Sequence, residues 1–319
     1  MKSEVAAVNK NLTLAVNKKL TFWDIIKKYK SFYLMLLPGI IYFIIFKYGP
    51  MWGLIIAFQN YNPFRGVLGS PFVGFTHFSR FLNSPECWQL FRNTLLLAVY
   101  NLILYFPLPI IIALMLNEIR NMYFKKIVQS LIYIPHFISW VVVVGLSYIM
   151  FNNQNGSITQ LYQAITGQQM NLLMSESAFR PMIIAQMMWK EAGWGTIIFL
   201  AALSGVDVQL YEAAYIDGAT NFQRLWHITL PSIRSTIVIM FILRLGKFMD
   251  TGFDQIFNML NAMNRNVGEV FDTYIYQIGL IGGQYSYSTA VGFFKSMIAL
   301  ALVLLTNHLS KRIGEEGVF

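Results

Sequence analysis

Six charged side chains sit inside otherwise apolar stretches of this chain: Lys190, Glu191, Arg244, Lys247, Asp250 and Lys295. A charge at membrane depth is costly unless it faces a cavity or a partner, so each marks a candidate site. Arg244, Lys247 and Asp250 recur every three residues, which places them along one side of a helix. Together with Trp140, Trp189 and Trp194 they offer hydrogen bonds for hydroxyls, cations for carboxylates and flat rings for the C–H faces of a sugar. Two other readings use the same residues. Lys190 or Lys247 paired with Glu191 or Asp250 would hold helices together, and Lys190, Glu191 and Asp250 would serve an ion-coupled secondary transporter as a relay. Nothing points to catalysis, because the sequence has neither a GxSxG elbow nor an HExxH pair. His77, His136, His227 and His308 fall on separate segments without acidic neighbours at ligand spacing, which argues against a metal. Gly246-Lys247 lacks the upstream glycine of a phosphate-binding loop, so any ATP hydrolysis belongs to another polypeptide.

The elements that must carry these residues are membrane helices. Of 319 residues, 56% are hydrophobic and only 12% charged, too apolar a balance for a water-soluble domain. A hydrocarbon core takes roughly 20 helical residues to cross. Six stretches qualify: 32–58, 94–116, 128–151, 182–203, 233–249 and 290–305. The formal charge of +9 follows topology rather than nucleic acid. Lys2, Lys10, Lys18, Lys19, Lys27, Lys28 and Lys30 precede the first stretch, and Arg120, Lys125 and Lys126 follow the second. Arg224 lies within residues 207–232 and Arg234 just after them, and Lys311 and Arg312 follow the last stretch. The opposite side carries only Arg65, Arg80, Arg180 and Arg265, so both termini are expected in the cytoplasm. Residues 20–33 mix aromatic and basic side chains as an interfacial elbow would, after an aperiodic tail over 1–19. The expected organisation is a cytoplasmic tail and elbow over 1–30 and a six-span body over 31–319. Loops 59–90, 152–180 and 254–289 face outside, large enough for a docking face and too small for a catalytic domain. Cys87 is the single cysteine and forms no disulfide framework.

Residues 207–232 read DVQLYEAAYIDGATNFQRLWHITLPS. Asp207 suits the N-cap of a helix from Val208, and Asp217-Gly218 suits the turn that ends it. A second short helix fits from Asn221 toward His227, with Pro231 in the first turn of the next span. Tyr215, Ile216, Phe222, Leu225 and Trp226 give this connection more apolar surface than a solvated loop exposes, so a partner is expected to cover it.

The skeleton Glu212-Ala213-Ala214, Gly218, Ile228 and Leu230-Pro231 resembles without departure the EAA signature of bacterial ABC importer permeases. The segments SFYLMLLPGIIYFIIFKYGPMWGLIIAFQNYNP, LIYIPHFISWVVV, WKEAGWGTIIFLAAL and LRLGKFMDTGFDQIF resemble the carbohydrate-uptake branch, maltose-permease-like subunits for oligosaccharides. The resemblance implies an all-α integral membrane fold of the type I importer class, with six spans in the bacterial cytoplasmic membrane. It implies a second, similar permease, two ATPase subunits that bind ATP and Mg, and an extracytoplasmic solute-binding protein. It implies that Glu212 and Gly218, supported by Ala213 and Ala214, couple the ATPase to the spans. Lys190, Glu191, Trp194, Arg244, Lys247 and Asp250 are then the expected substrate path.

Overall fold

A computed structural model describes residues 27–312. The tail over 1–19 and most of the elbow lie outside the described residues. The chain divides into two compact units, Met1–Ile55 and Ile56–Phe319. The first unit holds most of α1, Lys30–Phe58, and from Lys30 to Trp52 its residues are exposed on all sides as a lipid-facing helix requires. Lys30 to Tyr33, expected at the end of the elbow, are already part of this helix.

The second unit is built from helices α2 (Thr76–Leu82), α3 (Pro85–Glu118), α4 (Met122–Phe137), α5 (Trp140–Phe151), α6 (Ser157–Thr166) and α7 (Glu176–Ser204). They are followed by α8 (Val208–Ile216), α9 (Asn221–Ser232), α10 (Arg234–Gly246), α11 (Phe253–Met259), α12 (Phe271–Tyr276) and α13 (Tyr285–Arg312). Among the described residues β-pairing is limited to one isolated bridge, Gln59 with Phe72. Among the described residues three helices are long and apolar enough to cross a membrane unbroken, and counting each of three bent pairs as one span gives six.

The bends have local causes. α4 and α5 meet at 99°, because Pro135 sits in a tight 3₁₀ turn, Ile138 is extended and the Ser139 hydroxyl caps α5 at Val142. The expected straight span over 128–151 is therefore broken: the 12 residues of α5 reach only about 18 Å. α7 turns by 70° into α8, and α9 by 60° into α10. The fifth helix ends at Gly246, short of the expected 249. Prolines shape the helices from within as well. The π turns Ile44–Tyr48, Asn101–Tyr105 and Leu225–Thr229 each end two residues before a proline, namely Pro50, Pro107 and Pro231. A proline lacks the N–H and crowds the preceding turn, and a widened turn absorbs both defects. For this reason Pro231 lies inside α9 and not, as expected, in the first turn of the next span.

α3 and α7 form the central seam. Arg180 bonds Asn93, Asn101 meets Met187, Tyr105 bonds the Glu191 carbonyl and Thr196 bonds the Pro109 carbonyl, at sequence offsets of 87, 86, 86 and 87. A constant offset means that the two helices run parallel, so their C-terminal ends lie on the same face. Two glycines let α7 approach its neighbours. A Cβ on Gly195 would stand 2.9 Å from Pro109 Cγ of α3, and one on Gly193 only 1.9 Å from the Ile132 carbonyl oxygen of α4.

Residues 254–276 contribute to the core as well as to the surface. Gln255, Ile256, Met259, Val270, Phe271 and Thr273 are fully buried, while Asp254, Met263, Arg265 and Asn266 are exposed. Their polar groups reach distant partners: Gln255 donates to the Ile183 carbonyl and to Gln186, which in turn donates to Ser147.

The glycine seam predicts that Gly193→Val lowers the melting transition of the purified protein, by an overpacking cost of about 1–3 kcal/mol. An unchanged transition would contradict the packing of α7 on α4.

Candidate functional site

The segment joining α7 to α10 forms as its sequence demands. The Asp207 carboxylate caps α8 by accepting from Gln209 N at 2.9 Å. Gly218 holds φ +74°, a left-handed turn that a side chain would strain. Thr220 and Gln223 close a capping box at the start of α9. The tyrosine hydroxyl of Tyr211 meets Thr229 Oγ1 at 2.9 Å and ties α8 to α9. Glu212, Ala213 and Gly218 are exposed and Ala214 is half-buried. Tyr215, Ile216, Phe222 and Trp226 are 60–84% exposed, and Phe222 and Trp226 stack on one another. The result is a prow of apolar side chains around a rigid helix–turn–helix, with Glu212 at its edge.

Higher along α7 the structure gathers a polar cluster at the α4–α5 break. Lys190 is buried, and its Nζ donates to Glu191 Oε1 and to the His136 carbonyl, each at 2.8 Å. The other Glu191 oxygen meets His136 Nδ1 at 2.8 Å. The His136 ring lies flat on Trp194, with centroids 4.4 Å apart and planes 4° apart, and Lys190 stands 5.1 Å above the Trp140 ring. The internal pairing of Lys190 with Glu191 is thus formed. About half of Trp194 remains exposed, so the indole has area free for a ligand. Sequence spacing missed His136, whose partner is 55 residues away. An IPHF turn just before an apolar helix capped by Ser139 and opened by Trp140 was the available signal.

Arg244, Lys247 and Asp250 line one cleft with Leu97, Asn101 and Met187. A second cleft, lined by Tyr105, Pro109 and Gly195, shares Arg244 and Lys247 with the first. The three charges share the first cleft although the helix stops at Gly246, so Asp250 reaches it from the segment beyond. Arg244 is held: its guanidinium donates to Asn101 Oδ1 and lies 5.1 Å over the Tyr105 ring. Tyr105 also bonds the Glu191 carbonyl, linking the cleft to the cluster. Asn101 and Tyr105 are functional candidates that the sequence did not single out. Lys295 belongs elsewhere, paired with Asp272 at 2.5 Å.

A family model described as "Binding-protein-dependent transport system inner membrane component" matches residues 105–315. The chain belongs to this family. The permease is 53% identical to the polygalacturonan/rhamnogalacturonan transport system permease protein YteP of Bacillus subtilis, over 91% of this chain and 90% of that one. It is 48% identical to Protein LplB of Bacillus subtilis over 96% of both chains. A chain of the bacterial alginate ABC transporter, solved with an alginate pentasaccharide-bound periplasmic protein, superposes with a TM-score of 0.86. It is 39% identical, with coverage of 93% of this chain and 99% of that one. The fold is that of a type I ABC importer permease, and the protein is a multi-pass membrane protein, as the resemblance implied.

The cluster makes a thermodynamic prediction. Lys190→Met leaves Glu191 without its cation and should cost about 3–5 kcal/mol. The double variant Lys190→Met/Glu191→Leu should melt above the single one. A double-mutant cycle with additive losses would contradict the pairing.

Proposed function

We propose that this permease carries an oligosaccharide, handed over by an extracytoplasmic solute-binding protein, through a path walled by α7 and α10. The observation that supports this most is connectivity. The exposed loop over 207–232 joins the two helices that bear the polar groups, Lys190, Glu191 and Trp194 on α7 and Arg244 at the end of α10, with Lys247 and Asp250 just beyond. A force on the loop therefore reaches both walls. Trp194 and Trp140 would take the apolar faces of sugar rings, while Glu191, His136 and Lys247 would bond hydroxyls or carboxylates. The names of the curated relatives and the alginate transporter support a carbohydrate cargo and a binding-protein partner.

The force would come from elsewhere. Two ATPase subunits would bind ATP with Mg, and one of them would seat α8 in a groove, with Glu212, Ala213, Ala214 and Gly218 at the contact. A second, similar permease would complete the path, and this chain would bind no cofactor and perform no catalysis. When the ATPases approach, the loop would move as one body, because its caps and the Tyr211–Thr229 contact hold it stiff, and the spans would reorient about the path. The same reading places both termini on the cytoplasmic side. Parallel α3 and α7 support it, since they bring Arg120, Lys125 and Lys126 to the same end as the loop.

In membrane vesicles containing the assembled transporter, Glu212→Ala and Gly218→Pro should each lower ATP-driven uptake about ten-fold or more. Membrane insertion and basal ATP hydrolysis should stay unchanged. Uptake at the unmutated rate in both variants would overturn the coupling role.

A further inference from the structure

The two clefts follow one another along the axis of the bundle. The first takes Leu97 from α3, Ile183 from α7 and Thr251 from the segment after α10. The second takes Pro109 from α3, Phe199 from α7 and Met240 from α10. On all three elements the second set lies nearer the 207–232 loop, because α7 runs into the loop, α3 runs parallel to α7 and α10 runs out of it. Leu97 and Pro109 are about 18 Å apart along α3, the rise of the 12 residues between those positions. The rooms differ as well. The first cleft has a volume of about 20 Å³, enough for one water, whereas the loop-side cleft has about 320 Å³, the room of a small-ligand pocket.

Arg244 stands at the junction, on the wall of both clefts, and it is tied in place. Its Nε donates to Asn101 Oδ1 at 3.0 Å, a second guanidinium nitrogen donates to the same oxygen, and the group lies 5.1 Å over the Tyr105 ring. Asn101 opens and Tyr105 closes the π turn of α3, a kind of widened turn that recurs at functional sites. The Asn101 amide in turn donates to Met187 Sδ, so one arginine links α10 to α3 and, through it, to α7. The tie is not an ion pair. Among the described residues no carboxylate bridges Arg244, although Asp250 and Glu191 act on it electrostatically. A charged donor on a neutral amide holds less firmly than on a carboxylate, which suits a contact that must break and re-form.

We propose that Arg244, Asn101 and Tyr105 form a clasp that closes the path between the two clefts, and that displacement of α10 by the loop opens it. This inference rests on the importer reading. Arg244 is then a gate group and not a sugar ligand, and the room for cargo lies on the loop side while the clasp is shut.

The test reads passage through the clasp with a single cysteine, Thr251→Cys in a Cys87→Ser background, in vesicles holding the assembled transporter. A sulfonated methanethiosulfonate is applied from the loop side. Without ATP, Thr251→Cys should label about ten-fold or more slowly than Met240→Cys on the loop side of the clasp, as a minor open state implies. Asn101→Leu removes the acceptor and should raise Thr251→Cys labelling about ten-fold, the scale of a lost hydrogen bond to a charged group. With ATP, Asn101→Leu should again label faster than the parent, while Asn101→Asp, which turns the tie into an ion pair, should label more slowly. A folding defect would move both variants the same way, so failure of the two to shift labelling in opposite directions overturns the clasp. Equal labelling of Thr251→Cys and Met240→Cys without ATP overturns it too, and needs neither Asn101 variant to insert. If ATP left the parent's labelling unchanged while Asn101→Leu still raised it, the importer reading would fall and the clasp would stand.

Discussion

A helix broken at membrane depth leaves carbonyl groups with no water to bond, and everything central in this permease is arranged around one such break. Where α4 gives way to α5, the His136 carbonyl is taken up by Lys190 from α7. The ammonium is balanced by Glu191, and Glu191 is held by the His136 ring. Irregular backbone is tolerated in a bilayer only where protein covers it or a polar cavity adjoins it. Here the covering groups are a charge pair and two tryptophans, the same groups that the proposed function assigns to a sugar.

That arrangement explains why α7 is the organising helix. It runs parallel to α3 at a fixed offset and lies against α4 through a glycine. Its buried glutamine bonds α11, and it leads directly into the exposed loop. The loop is stiff for local reasons, two caps and a left-handed glycine. The seam is stiff because close helix contacts leave side chains little freedom to rearrange. Bends of 70° and 60° flank the exposed loop, the arrangement that the proposed lever motion requires.

The sequence made some of this plain and hid the rest for identifiable reasons. The caps and turn of the loop over 207–232 were largely legible, since Asp207 and Gly218 act on their own backbone neighbourhood, while the Thr220 capping box came only with the structure. Pro231 was misplaced by one element because a π turn upstream absorbs a proline without ending the helix. The third span was read as continuous because hydropathy does not register the Pro135 turn and the Ser139 cap that break it. That residues 254–276 pack into the core was not legible, because Gln255, Asn264 and Thr273 are polar yet buried. Gln255 reaches partners about 70 residues away, which no local pattern announces. His136 was passed over for the same reason. The intramembrane charges were found, but their division into the Lys190–Glu191 cluster and the Arg244–Lys247–Asp250 cleft required the fold.

The most direct test follows access to the cleft while the loop is driven. A single cysteine in place of Lys247, in a Cys87→Ser background, would be probed with a membrane-impermeant thiol reagent applied from each side of the assembled transporter. Lever-like movement of α7 and α10 predicts that ATP binding by the partner subunits shifts labelling from one side to the other, and that Glu212→Ala abolishes the shift. Labelling from the same side and at the same rate with and without ATP would contradict the account.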